Sequence, residues 1–257
     1  MKKDRTIKEM DDYLENFSKE ISKKINEKGK VIILDAGCGY GLVMAGLLKK
    51  FGNKVELIGY NLSKKDGTIK DLKDISLSRG IFSKDEIKKV KNWPKIIYLD
   101  ANKKLPFKEN SFDFIISLAS VYLYKEKIKF FEECNRILKK GGTAKITLFE
   151  TPKLNNKDLI LDNLKIPVNS QNFWEIWDQG KEINFVDYFD RIKGIKVKIG
   201  ERKDRKSAEV YVEIKKQPRL NMKLKLIGTI NMGIIAPDRY GMRAIYAAEL
   251  NFNRDDK

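Results

Sequence analysis

The chain has 257 residues, 42% of them hydrophobic, and 53 Lys/Arg against 36 Asp/Glu give a net charge of +17. That length supports one large α/β core with or without a small extension, and apolar clusters spaced between charges exclude a disordered polyelectrolyte. Two cysteines, Cys38 and Cys134, with no histidine exclude a disulfide framework and an ordinary structural zinc site, so no metal is expected.

In chain order, residues 7–27 read as one amphipathic helix, with Ile7, Met10, Tyr13, Leu14, Phe17, Ile21 and Ile25 spaced by three and four. Residues 31–34 form a short apolar run suited to a buried parallel strand. Gly37, Gly39 and Gly41 follow, then helical spacing over 41–50 with Gly52 as its stop. Residues 55–60 are a second strand. Residues 63–94 are charged and less regular, with a helix over 83–91. Strands follow at 96–99 and 112–117, then a helix over 125–139 ended by Gly141 and Gly142, then a fifth strand at 144–149. Strands alternating with helices predict a doubly wound, mostly parallel sheet.

Beyond residue 150 the pattern changes. Residues 150–180 read as a lid or insertion holding Trp174 and Trp177, followed by a helix over 182–192. Residues 195–199 and 208–214 are strands flanking a charged turn. Pro218 marks a boundary, after which 222–235 and 242–252 form a C-terminal β extension. The expected division is therefore 1–217 as the main domain, with 1–30 as its N-terminal helix, and 218–257 as the extension.

Residues 1–30 lack the apolar core of a signal peptide, and the charge-free stretch 226–237 is too short to span a bilayer. A soluble cytoplasmic protein with no membrane partner is expected. The positive charge would attract nucleic acid or acidic small molecules. A lysine-rich composition produces the same excess without any such partner. Residues 191–225 hold 13 Lys/Arg and 4 Asp/Glu, net +9, and Arg202, Lys203, Arg205 and Lys206 fall in the charged turn.

The glycine loop Asp35-Ala36-Gly37-Cys38-Gly39-Tyr40-Gly41 carries the sharpest signal. Glycines allow a tight strand-to-helix turn and a close backbone approach to a ligand, at the carboxyl end of the first strand, where ligands bind in a doubly wound sheet. The spacing is G-x-G-x-G. A dinucleotide fingerprint would need its third glycine at position 42, which is Leu42. An acid two residues before Gly37 suits a ligand with an ammonium group better than one with a pyrophosphate.

This loop resembles that of the class I, Rossmann-like S-adenosylmethionine (SAM)-dependent methyltransferases. Three collinear segments extend the resemblance over residues 31–149. Asp100-Ala101 is similar to the family's acidic-plus-small pair. Residues 105–117 resemble L-P-F-x-x-x-S-F-D-x-I, and residues 131–142 resemble E-x-x-R-x-L-K-P-G-G, with Lys140 in place of proline. The resemblance implies a seven-stranded sheet and SAM as cofactor. It implies a cofactor site from Asp35, Gly37, Cys38, Gly39, Tyr40, Gly41, Asn61, Leu62, Asp100, Ala101, Ser117 and Leu118. The family usually ends its second strand with an acid that accepts from both ribose hydroxyls. Asn61 stands there, so a weaker grip or help from Ser63 or Asp66 is expected.

The residues facing the methyl group would lie just after the fourth strand: Ser117, Leu118, Ala119, Ser120, Tyr122 and Tyr124. Many relatives have a histidine near here. Tyr122 and Tyr124 are the candidate catalytic residues in its place, able to orient an acceptor. The expected activity is methyl transfer to a small-molecule acceptor, anionic if the basic turn borders the site. An RNA acceptor and a non-catalytic binding subunit are the alternatives. Residues 218–257 would extend the sheet, roof the pocket or pair two copies as a homodimer.

Overall fold

The structure, a computed structural model, describes residues 5–124, 127–152, 172–178, 181–183, 189, 192–201, 207–217, 226–234 and 246–252. Seven strands form the large sheet: β1 (Val31–Ala36), β2 (Val55–Asn61), β3 (Lys95–Tyr98), β4 (Phe112–Ser117), β5 (Leu138–Pro152), β8 (Ile195–Glu201) and β9 (Ser207–Lys215). Their order is β3-β2-β1-β4-β5-β9-β8. β1 to β5 are mutually parallel, and β9 runs antiparallel between β5 and β8. The order turns back at β1, between β2 and β4, which opens a crevice at the strands' carboxyl ends.

Strand alternation sorts side chains to two cores. Leu34, Phe112 and Ile115 face α6 (Lys127–Ile137), where Phe130, Phe131 and Ile137 pack. Ile33, Phe114 and Ile116 face the other side, against α2 (Phe17–Lys28) and α3 (Leu42–Phe51) through Phe17, Ile21, Met44 and Leu47. A second sheet of order β11-β10-β6-β7 joins β6 (Asn172–Asp178) and β7 (Lys181–Ile183) to β10 (Leu226–Ile234) and β11 (Tyr246–Phe252). The insertion and the C-terminal extension, separate in the sequence reading, are hydrogen-bonded neighbours through β6 and β10.

Several expectations are corrected. The single helix over 7–27 is two, α1 (Ile7–Tyr13) and α2, broken where Glu15 and Asn16 both take positive φ. The apolar spacing continues across the break, which hid it. Asp11 stabilises the new start by accepting from the Ser18 backbone at 2.7 Å and its hydroxyl at 2.5 Å. Gly141 and Gly142 do not end α6, which stops at Ile137. They lie inside β5 at a bulge, where pairing with β4 jumps from Phe112↔Leu138 to Phe114↔Thr143. A β-carbon on Gly142 would crowd the Lys139 and Asp113 carbonyl oxygens at 2.8 and 3.0 Å. Glu182 and Ile183 belong to β7 rather than to a helix. The irregular stretch after β2 contains α4 (Ile69–Ser78) as well as α5 (Lys84–Lys89), each opened by a capping box, from Thr68 and Ser83.

The family-like motifs turn out to hold the scaffold. Glu133 accepts from the Leu105 backbone at 2.8 Å and pairs with Arg136, whose guanidinium donates to the Phe107 and Leu105 carbonyls at 2.9 and 3.0 Å. The E-x-x-R helix end thus clamps the L-P-F turn. Asp113 is buried and accepts from Lys139 at 2.7 Å, Lys28 at 3.0 Å and the Ile32 backbone at 3.0 Å. Burial pushes its carboxyl up, but those three hydrogen bonds outweigh it and hold the group below the usual carboxylate range. A depressed folded value stabilises the protein above the unfolded value of about 4, and that stabilisation is lost as pH falls through the folded value. Urea unfolding between pH 7 and pH 3 should therefore show a smaller acid loss for Asp113→Asn than for the parent, from a lower starting stability.

Candidate active site

The glycine loop leaves β1 with Gly37, Gly39 and Gly41 at φ of +72°, +56° and +85°. The backbone N–H groups of Gly37 and Cys38 both donate to the Tyr60 carbonyl at 3.0 Å, fixing the loop to the end of β2. Gly37 has no room for a side chain, because a β-carbon would overlap Ser120, only 2.6 Å from its Oγ.

A cleft of about 450 Å³ opens above this loop at the carboxyl ends of the parallel strands. Its walls include Gly37, Gly39, Tyr40, Asn61, Leu62, Asp100, Ala101 and Tyr124 from the expected set. Asp35, Cys38, Gly41, Ser117 and Leu118 do not line it. Asp35, Cys38, Ser117 and Leu118 are buried immediately around it, and Gly41 packs against Leu72 and Met44. Tyr122 lies in the 3-10 turn Val121–Leu123 after β4, and its side chain is outside the described residues. So are the side chains of Trp174 and Trp177, together with the whole turn holding Arg202, Lys203, Arg205 and Lys206.

Sequence reasoning missed Tyr60, Lys65, Leu99, Asn102 and Leu123 as lining residues. Tyr60 looked like the last apolar residue of a strand. Its hydroxyl is 3.2 Å from that of Tyr124, which is 3.3 Å from Ser120 Oγ. Ser120 Oγ donates to the Ala36 carbonyl at 2.8 Å and lies 2.6 Å from Ser117 Oγ. Since Ser120 spends its one proton on Ala36, the others must donate towards it. The proton order therefore runs inward, Tyr60 to Tyr124 to Ser120. Ala119 holds a positive φ of 54° beside this chain, its N–H donating to Thr147 Oγ1 at 2.8 Å. A non-glycine residue there stores strain that its neighbours must support.

Burial pushes Tyr124 up to about 12, against the lowering effect of its hydrogen bonds with Ser120 and Tyr60, and the Asp35 charge adds to the rise. Burial raises Tyr60 well above its ordinary value, with Tyr124 next in effect. Both hydroxyls therefore keep their protons across neutral pH and cannot serve as general bases there. An ultraviolet titration from pH 6 to pH 10.5 should show the same tyrosinate absorbance change for wild type and Tyr124→Phe. A wild-type excess of one tyrosinate in that range would contradict this assignment.

At the opposite wall, Asp100 accepts from the Asn102 backbone and side chain at 3.0 and 2.8 Å. The backbone hydrogen bond leads the side-chain one in lowering its carboxyl, so it is ionised at neutral pH. Leu62 and Leu123 stand at the cleft's rim, 71% and 69% exposed. Among the described residues, no cluster of His, Cys, Asp or Glu could hold a metal ion, and no helix is long and apolar enough to cross a membrane.

Residues 34–146 match the family model described as a methyltransferase domain. No curated protein matches the chain. Among solved structures, a SAM-dependent methyltransferase from Aquifex aeolicus is 19% identical, with 81% of this chain and 96% of that one covered and a TM-score of 0.44. PKMT2 from Rickettsia typhi, solved in complex with AdoHcy, is 21% identical over 54% of this chain and 24% of its own, with a TM-score of 0.37. The cyclase SpnF is 23% identical over 52% of this chain, with a TM-score of 0.38, and this chain spans 44% of SpnF's length.

Proposed function

We propose that the chain, whose residues 34–146 match a methyltransferase domain, is a class I, SAM-dependent methyltransferase that methylates a small, anionic acceptor in the cytoplasm. The observation that carries this reading is the concave cleft over the glycine loop, whose volume of about 450 Å³ lies within the range of small-molecule sites. The net charge of +17 supports an anionic acceptor.

The residues present fit the cofactor. Bare glycine backbone lies along one wall, Asp66 and Asp100 offer carboxylates to hydroxyl and amino groups, and Leu62, Leu99 and Ala101 offer apolar surface to a flat ring. Asp35, buried under the loop, supplies negative charge where a cationic amino acid end would lie. When bound, SAM supplies a methyl group already activated by its positive sulfur. The chain's task is then to align and to exclude water. Tyr124 and Ser120 hold the reacting end of the cleft in one geometry through their inward hydroxyl chain. Those hydroxyls stay protonated and the chain has no histidine, so neither tyrosine takes a proton from the acceptor, and an acceptor with a free lone pair needs no base.

Calorimetric titration with SAM and AdoHcy tests the reading. Micromolar binding of both is expected, and no heat from either at millimolar concentration would overturn it. An RNA acceptor is the second reading, favoured by the same positive charge. A steep loss of RNA affinity between 50 and 200 mM salt would be its signature.

A further inference from the structure

Asn61 occupies the end of β2, the strand that lies between the glycine loop of β1 and the Asp100 wall after β3. Asn61 borders the cleft, but its amide group is taken up by the protein's own backbone. The amide oxygen accepts from Gly39 N–H at 2.9 Å, while the amide nitrogen donates to the Gly39 carbonyl at 2.8 Å and reaches the Gly67 carbonyl at 3.4 Å. The residue is 3% exposed. This two-point grip on one peptide residue demands a donor and an acceptor on the same side chain, which an amide has and a carboxylate lacks.

The same grip draws in the next segment. Gly67 is packed so closely on Gly39 that a β-carbon would stand 2.8 Å from the Gly39 carbonyl carbon. The Tyr98 hydroxyl ties the Gly67 carbonyl from β3 at 3.3 Å. The 3-10 turn Lys64–Asp66 is thereby laid along the glycine loop, and Asp66 lines the cleft. Asp66 is held in place through one oxygen, Oδ2, which accepts from Ser63 N–H at 2.9 Å and Ser63 Oγ at 3.1 Å.

We propose that Asp66, not Asn61, accepts the hydrogen bonds of the ribose hydroxyls of the SAM adenosine, and that Asn61 is a positioning residue that sets the glycine loop. The proposal rests on the cofactor reading above. A vicinal diol donates well to a carboxylate side chain, and the lining offers two, Asp66 and Asp100. Asp100 follows β3 at the cleft's far edge, whereas Asp66 belongs to the turn after β2. An adenosine reaching from the β1 loop to β3 presents its sugar over β2.

The test measures Kd for AdoHcy and for its 2′,3′-dideoxy analogue, by calorimetry, on wild type, Asp66→Asn and Asn61→Asp. Wild type should favour AdoHcy by at least tenfold. Asp66→Asn should erase most of that preference while leaving the analogue's affinity within twofold. Asn61→Asp should weaken both ligands alike, because a carboxylate would face the Gly39 carbonyl. A preference preserved in Asp66→Asn, or its selective loss in Asn61→Asp, overturns the proposal and leaves the cofactor reading intact. Equal wild-type affinity for the two ligands does the same. Absence of AdoHcy binding to wild type overturns the cofactor reading itself, and this proposal with it.

Discussion

Gly37→Ala is expected to abolish detectable AdoHcy binding and to lower stability by about 2–4 kcal/mol, from left-handed backbone strain together with overpacking. Gly37 sits at φ +72°, and the space beside it is taken by Ser120 and by the Tyr124 hydroxyl, 3.2 Å from where a β-carbon would be. Ser120 cannot yield cheaply. Its hydroxyl is fixed between the Ala36 carbonyl and Ser117, so relief must come from moving the loop. A moved loop loses the donations from Gly37 and Cys38 to the Tyr60 carbonyl. Calorimetry reads the binding loss, and urea unfolding reads the stability. Alanine binding AdoHcy within threefold of wild type would show that the loop is not built around this contact.

The largest pure stability effect should come from Lys145→Ala, at about 3–5 kcal/mol, the range for breaking a buried charge network. Lys145 is fully buried on β5. Its ammonium donates to Glu20 at 2.6 Å and to the Leu14 carbonyl at 2.9 Å, and it lies 4.7 Å from the Phe17 ring centroid. Alanine would leave a cavity between the rings of Phe17 and Tyr211 and strip a donor from the Leu14 carbonyl, which the break between α1 and α2 has freed from helix pairing. Lys145→Met, which refills the volume without the charge, should recover a large part of the loss. Urea unfolding of the three proteins decides this, and an alanine cost under 1 kcal/mol would mean that the network is solvated.

The parallel core was legible in the sequence because its signals are local. Strands at 31–34, 55–60 and 112–117 are short apolar runs, and each lies within an observed strand. The glycine loop signalled a tight strand-to-helix turn for the same reason, since Gly37, Gly39 and Gly41 all take positive φ, a local backbone requirement rather than one set by distant partners. What stayed hidden depends on residues far apart in the chain. The break at Glu15 and Asn16 is supported by Lys145 and by Tyr211, whose hydroxyl donates to Glu15 at 2.9 Å, and periodicity cannot register such partners. Gly141 and Gly142 read as a helix stop because a bulge and a stop use the same residue. In the candidate site, Asn61 stood out as a departure from the family pattern, yet its grip on Gly39 appears only when two loops are brought together.

The joining of β6 to β10 has a consequence for how the chain is made. The large sheet is complete once residue 215 has left the ribosome, but β6 and β7, already synthesised, still lack their neighbour. They must wait for residues 226–252 with one strand edge unpaired, an exposure that invites pairing with the wrong chain. Slow translation beyond residue 217 would prolong that exposure, so the yield of soluble protein should depend on the codons of the C-terminal segment more than on those of the parallel core.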